Sequence, residues 1–146
     1  MADSEFVSHS AEDTIAKGRE IAADLRPPAI VLLSGDLGSG KTTLTKGIIS
    51  GLGAAREEDV TSPTFTLVHV FQNKYKVYHV DLYRVENFPD LESLGLEDAL
   101  SEDAIVIVEW SERFSLRTDW PRMKIHLDHA GGDSRRISIS RFQTKP

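Results

Sequence analysis

Ala29-Ile30-Val31-Leu32-Leu33-Ser34-Gly35-Asp36-Leu37-Gly38-Ser39-Gly40-Lys41-Thr42-Thr43 is the stretch from which the rest of the chain can be read. Residues 29–33 are a continuous apolar run without alternation, which suits a central strand covered on both faces. Residues 35–40 are a glycine-rich turn. Beyond it, Leu44, Ile48 and Leu52 recur at i, i+4 and i+8, the buried stripe of a helix over residues 41–51. Gly35 to Thr42 therefore match G-x-x-x-x-G-K-[ST] in the strand–turn–helix context that the pattern requires. Gly35, Gly38 and Gly40 let the backbone curl through Ser39 so that successive N–H groups point inward at phosphate oxygens. The helix adds its positive N-terminal end. Lys41 supplies a charge for the β- and γ-phosphates, and the Thr42 hydroxyl is placed to ligate Mg2+. Thr43 either touches the α-phosphate or only sits in the first helical turn. Lys41 is expected to be exposed when no ligand is bound, so that its loss leaves the fold intact.

Ser10-Ala11-Glu12-Asp13 resembles a capping box and opens a helix to about residue 25, with Ile15, Ala22 and Leu25 on one face. Pro27-Pro28 ends it. Downstream, residues 65–71 and 76–81 read as two strands, and Gln72-Asn73-Lys74 between them is short enough for an antiparallel hairpin. Residues 88–100 give one or two helical turns broken near Gly95. Residues 104–110 form a second fully apolar strand and 113–120 a loop. Residues 124–127 and 135–140 pair around Gly131-Gly132-Asp133. The expected fold is a single α/β domain over residues 1–146: a three-layer, P-loop NTPase-like arrangement whose mixed sheet includes an antiparallel hairpin.

The chain has 146 residues and a formal net charge of −6, so it has no global attraction for a polyanion. Any action on RNA is expected to go through a partner, and neither DNA nor a membrane is an expected target. There is no cysteine, which excludes disulfides, thiolate metal sites and a cysteine nucleophile. No apolar run approaches the ~20 residues needed to cross a bilayer, and the expected location is the cytoplasm.

Nucleotide hydrolysis needs an acid at the end of a strand neighbouring the glycine turn. Asp81 ends residues 75–81 and Glu109 ends the run Ile105-Val106-Ile107-Val108. The apolar residues before Glu109 make it the stronger metal-holding candidate, with Asp81 orienting water. Lys41, Asp81 and Glu109 are the candidate catalytic set, and Thr42 with Glu109 the candidate metal ligands. Thr61, Ser62 and Thr64, stiffened by Pro63, offer hydroxyls for a switch segment and serve equally well as turn formers. Trp110 by default packs. His79 lies on the opposite face of its strand from Tyr78 and Val80 and reads as structural rather than as a ligand. Arg113, Arg117 and Arg122 are read as a solvated loop rather than a phosphate-gripping lid.

The blocks Gly35 to Thr43, Ser62-Pro63-Thr64-Phe65-Thr66-Leu67, His79-Val80-Asp81-Leu82-Tyr83-Arg84 and Val108-Glu109-Trp110 resemble, in order and spacing, those of the TsaE (YjeE) family. The likeness runs from about residue 10 to residue 127. It implies a P-loop ATPase that joins TsaD and TsaB in threonylcarbamoyl modification of the adenosine beside the tRNA anticodon. TsaD would transfer the group, while ATP hydrolysis by this chain, weak alone, would support turnover. By resemblance, Thr42 and Glu109 would hold Mg2+, Lys41 and Thr43 would hold phosphate, and Asp81 would assist hydrolysis. Trp110 would couple the site to the partner surface, and the segment near Ser8 and Thr14 would approach the adenine. Any contact from Gly131 to Arg135 stays open.

Three other readings stand beside it. A small-metabolite P-loop kinase needs an acceptor pocket and an arginine-bearing lid, yet the middle of this chain is spent on a hairpin. A GTPase needs a guanine-reading N-K-x-D loop, and Asn73-Lys74 continues with Tyr75-Lys76. A non-catalytic module would not need two acids at strand ends.

Overall fold

β-branched and leucine runs build the centre of the molecule. The computed structural model describes residues 4–61, 63, 68–100, 102–113 and 119–142. Its strands are β1 (Ser4–Ser8), β2 (Ala29–Gly35), β3 (Val68–Gln72), β4 (Lys76–Asp81), β5 (Ala104–Glu109), β6 (Arg122–His129) and β7 (Arg135–Phe142). The helices are α1 (Ala11–Ala22), α2 (Lys41–Gly51), α3 (Phe88–Glu92) and α4 (Leu96–Ala99). The strands form one sheet in the order β1-β7-β6-β2-β5-β4-β3. β2 runs parallel to both β5 and β6, and β4 runs parallel to β5. The β3–β4 hairpin is antiparallel, as are β6–β7 and β1–β7. Every residue of β5 is buried, the apolar run of residues 104–108 as its sequence requires and Glu109 with it.

Helices cover both faces. α1 and α2 seal one through Ile21, Leu44, Ile48 and Ile49 against Val31, Leu33, Ile105 and Ile107. α3 and α4 cover the other through Leu91, Leu96 and Ala99 against Ile30, Val106 and Val108. The three layers and the mixed sheet with its hairpin agree with the sequence reading.

Several boundaries differ from that reading. α1 ends at Ala22, three residues before the predicted end; Ala23, Asp24 and Leu25 continue in i→i+3 turns toward Pro27. The Ser10 side chain accepts from Asp13 N–H at 3.0 Å, as the capping box predicts. β5 stops at Glu109, because Trp110 takes a left-handed φ of 61° and leaves the strand. β6 and β7 are longer than predicted. β1 was absent from the sequence reading. It is a five-residue edge strand with mostly exposed side chains, so no buried alternation announces it, and its order comes from pairing with β7. Residues 65–67 of the strand predicted over residues 65–71, and Ser62, Thr64 and Arg117, lie outside the described residues.

α1 and α2 meet with their backbones nearly touching. A Cβ built on Gly47 would lie 2.1 Å from the Ile15 carbonyl oxygen, and one on Gly18 would lie 2.5 Å from that of Leu44. Both are backbone atoms, which cannot step aside as a flexible side chain can. Gly47→Ala is expected to force the helices apart and destabilise the fold by about 1–3 kcal/mol, the cost of overpacking a filled core. Urea denaturation checks this; a loss below about 0.5 kcal/mol, the range of ordinary surface substitutions, contradicts it.

Candidate functional site

Three parallel strands deliver their last residues to one edge of the sheet. In register, Leu33 of β2 lies opposite Glu109 of β5, and Glu109 lies opposite Asp81 of β4. β2 then ends at Gly35, and residues 36–40 turn back into α2. The turn depends on glycine: Gly35, Gly38 and Gly40 have φ of 142°, 77° and 104°. At Gly35 a Cβ would also lie 2.4 Å from the Leu127 carbonyl oxygen of β6. At Gly38 nothing lies within 4 Å of a Cβ position, so this side of the turn is open.

α2 presents Lys41 and Thr42 from its first turn. The Thr42 hydroxyl donates to Glu109 Oε1 at 2.8 Å, which ties the helix to the end of β5. Glu109 is 2% exposed. Its other oxygen, Oε2, meets His79 Nε2 from β4. Asp81 Oδ1 accepts the Tyr83 backbone N–H at 2.9 Å, and Glu112 Oε2 accepts that of Gly35 at 3.2 Å.

Lys41 corrects the expectation of an exposed side chain: it is 5% exposed. Its ammonium donates to the carbonyl oxygens of Gly35 at 2.6 Å and Asp36 at 2.9 Å. The Trp110 ring covers it, with Nζ 3.9 Å from the ring centroid. The direct partners of this cation are thus carbonyls and a π face. Burial pushes its pKa below the usual lysine value, against the opposing pull of Glu112, Glu109, Asp81 and Asp36. Trp110 therefore does more than pack; its ring also stacks at a tilt on Tyr83, 4.8 Å between centroids.

A cavity of about 400 Å³ opens in front of these groups, between Gly38, Gly40, Lys41, Thr42 and Thr43 on one side and Asp81, Tyr83, Arg84, Glu109 and Trp110 on the other. A smaller one of about 250 Å³ lies behind the turn, walled by Ser10, Ala11, Thr14, Thr43, Asp133 and Arg135. Arg135 donates to the Gly38 carbonyl at 3.3 Å. The structure thus brings Lys41, Thr42, Thr43, Asp81, Glu109 and Trp110 to one cavity. Ser39 is fully buried beneath it, Thr61 is exposed and lines neither cavity, and Arg113 turns to the Tyr83 carbonyl.

A glycine-curled turn, a lysine and a hydroxyl at a helix start, and a carboxylate bonded to that hydroxyl can be set against known proteins. The family model for "Threonylcarbamoyl adenosine biosynthesis protein TsaE" matches residues 8–137. The chain belongs to the TsaE family. A tRNA threonylcarbamoyladenosine biosynthesis protein TsaE of Treponema pallidum is 33% identical over 134 residues, covering 92% of this chain and 98% of that protein. The Bacillus subtilis protein of the same name is 37% identical over 130 residues, covering 88% and 80%. The crystal structure of Bacillus subtilis YdiB superposes with a TM-score of 0.76 at 29% identity, covering 97% of this chain and 87% of that one. The family places the chain in tRNA threonylcarbamoyladenosine biosynthesis, and no helix among the described residues is long and apolar enough to cross a membrane.

Two site features escaped the sequence reading. His79 meets Glu109 through the register of β4 and β5, and Arg135 meets Gly38 from a distant turn; neither leaves a local pattern. The burial of Lys41 has a measurable consequence. Lys41→Ala is expected to destabilise the ligand-free protein by about 1.5–3 kcal/mol, the worth of hydrogen bonds from a charged donor. Urea denaturation without nucleotide checks this, and unchanged stability would return Lys41 to the exposed position expected from sequence.

Proposed function

We propose that this member of the TsaE family binds and hydrolyses Mg-ATP, and that hydrolysis supports turnover of a TsaD–TsaB complex on tRNA. The observation that carries this reading is the Thr42–Glu109 hydrogen bond beside Lys41. A hydroxyl and a carboxylate held together at the edge of a phosphate-sized turn form the protein's share of a Mg2+ site.

The residues present fit the ligand. Open space at Gly38 and the three left-handed glycines suit a backbone wrapped around phosphate oxygens. Asp36, Asp81, Glu109 and Glu112 all lie close enough to act on the Lys41 charge. Such surroundings disfavour a bare triphosphate and favour one that arrives with a divalent cation. Among the described residues no group of three or more His, Asp or Glu is placed to hold a metal alone. That composition suits Mg2+, which keeps waters and substrate phosphates among its ligands.

In this reading the Lys41 ammonium leaves the Gly35 and Asp36 carbonyls for the β- and γ-phosphates. Thr42 and Glu109 would hold Mg2+, whose chemistry there would be to offset negative charge on the phosphates. Gly35, Gly38, Ser39 and Gly40 supply the turn, and Thr43 stands at the α-phosphate. Asp81 orients the attacking water. The smaller cavity beside Ser10, Thr14 and Arg135 receives the nucleoside. Trp110 has to move off Lys41 as phosphate enters, which makes it the group through which a docked partner senses the site. Arg113 and Arg135 are engaged by carbonyls; in this reading hydrolysis by the chain alone is slow, and docking sets the cavity-lining Arg84 and its neighbours for turnover. The net charge of −6 keeps tRNA contact indirect.

ATP hydrolysis measured with and without TsaD, TsaB and tRNA tests the reading. Slow hydrolysis alone and clear stimulation by the pair are expected. Asp81→Ala is expected to lose stimulated turnover while keeping Mg-ATP affinity, and Glu109→Ala to lose both. No stimulation by any combination would remove the role in turnover, and equal Mg-ATP affinity of the two variants would remove their separate roles.

A further inference from the structure

His79 is the buried polar side chain that the proposed chemistry leaves unused. It is 0% exposed, although an apolar residue would fill this place between β3 and β5 without the cost of burying an imidazole. Its Nε2 meets Glu109 Oε2, while Thr42 donates to Oε1 at 2.8 Å. Each oxygen of Glu109 thus has its own donor. With an ionised carboxylate acting only as an acceptor, His79 carries its proton on Nε2. Nδ1 is then left as a buried acceptor without a partner among the described residues. The ring is held in turn: the His69 ring of the neighbouring strand meets it edge to face, 6.2 Å between centroids.

We propose that His79 is a positioning residue for Glu109, fixing the carboxylate so that Oε1 faces Thr42 and the Mg2+ of a bound nucleotide. The terminal torsion of a glutamate is broad and roughly two-fold, so packing of its methylenes does not set where the oxygens lie. Thr42 cannot set it alone once its hydroxyl turns to a metal. The His79 N–H then remains as the group on the described strands that keeps Oε2 turned away and Oε1 presented. Partners that orient a metal ligand in this way are worth about 10–100-fold in metal affinity. His79 touches neither nucleotide nor metal and acts only through Glu109. This inference rests on the proposed Mg-ATP reading.

The test is titration of ATP by calorimetry at graded Mg2+, and again in EDTA, on folded proteins verified by circular dichroism. Wild type is expected to bind ATP more tightly as Mg2+ rises. His79→Leu and His79→Met remove the donor at similar volume, and whichever folds is expected to need about 10-fold more Mg2+ for the same gain. Their affinity in EDTA is expected to stay within about 2-fold of wild type, since the phosphate turn is untouched. His79→Gln, which keeps an N–H on a flexible arm, is expected to recover much of the loss. A Mg2+ midpoint unchanged in the apolar variants overturns the positioning role, as do equal losses with and without Mg2+ or a His79→Gln no better than His79→Leu. A wild type with no Mg2+-dependent gain overturns the Mg-ATP reading itself, and the positioning role falls with it.

Discussion

The parallel pairing of β2, β5 and β4 is the constraint on which the site depends. Parallel strands point their carboxyl ends to one edge, and their registers set how far each reaches. Glu109 and Asp81 end level with each other, and β2 runs two residues beyond Leu33, opposite Glu109, to Gly35 at the same edge. In open α/β sheets this edge is where ligands are bound. The unbroken apolar sequences of β2 and β5 demand cover on both faces, and α1 with α2 on one side and α3 with α4 on the other provide it. The buried centre and the functional edge are therefore two consequences of one arrangement.

Within that frame, the charged groups of the site are met by groups of the chain itself. Lys41 is held by carbonyls and capped by Trp110, and Glu109 is held by Thr42 and His79. Each of these contacts stands where a nucleotide or metal contact belongs in the proposed function, except the one from His79. In the proposed function, binding exchanges these partners for phosphate and metal. Trp110, held at a left-handed φ just past the end of β5, covers Lys41 at the wall of the cavity.

Much of this was legible in the sequence because it is local. Residues 29–51 carry a strand run, three glycines and a helical stripe, each with its own period, and β2, the turn and α2 form where that pattern puts them. The β3–β4 hairpin and the acid ending β5 are equally local. The remainder depends on what arrives from elsewhere. β1 has too few apolar residues to mark itself and is a strand only because β7 offers an edge. Lys41 is buried because Trp110 folds over it, which its neighbours in sequence could not reveal. His79 and Glu109 meet through a register, and Arg135 reaches Gly38 through the β6–β7 turn.

In the proposed function Thr42 and Glu109 act as one unit on one metal ion. A double-mutant cycle of Mg2+-dependent ATP affinity, using Thr42→Val, Glu109→Gln and the pair, measures this most directly. Each single variant is expected to lose the Mg2+-dependent gain and the double variant to lose little more, a coupling of about 0.5–3 kcal/mol. Losses that simply add would mean that the two residues act apart, and would contradict it.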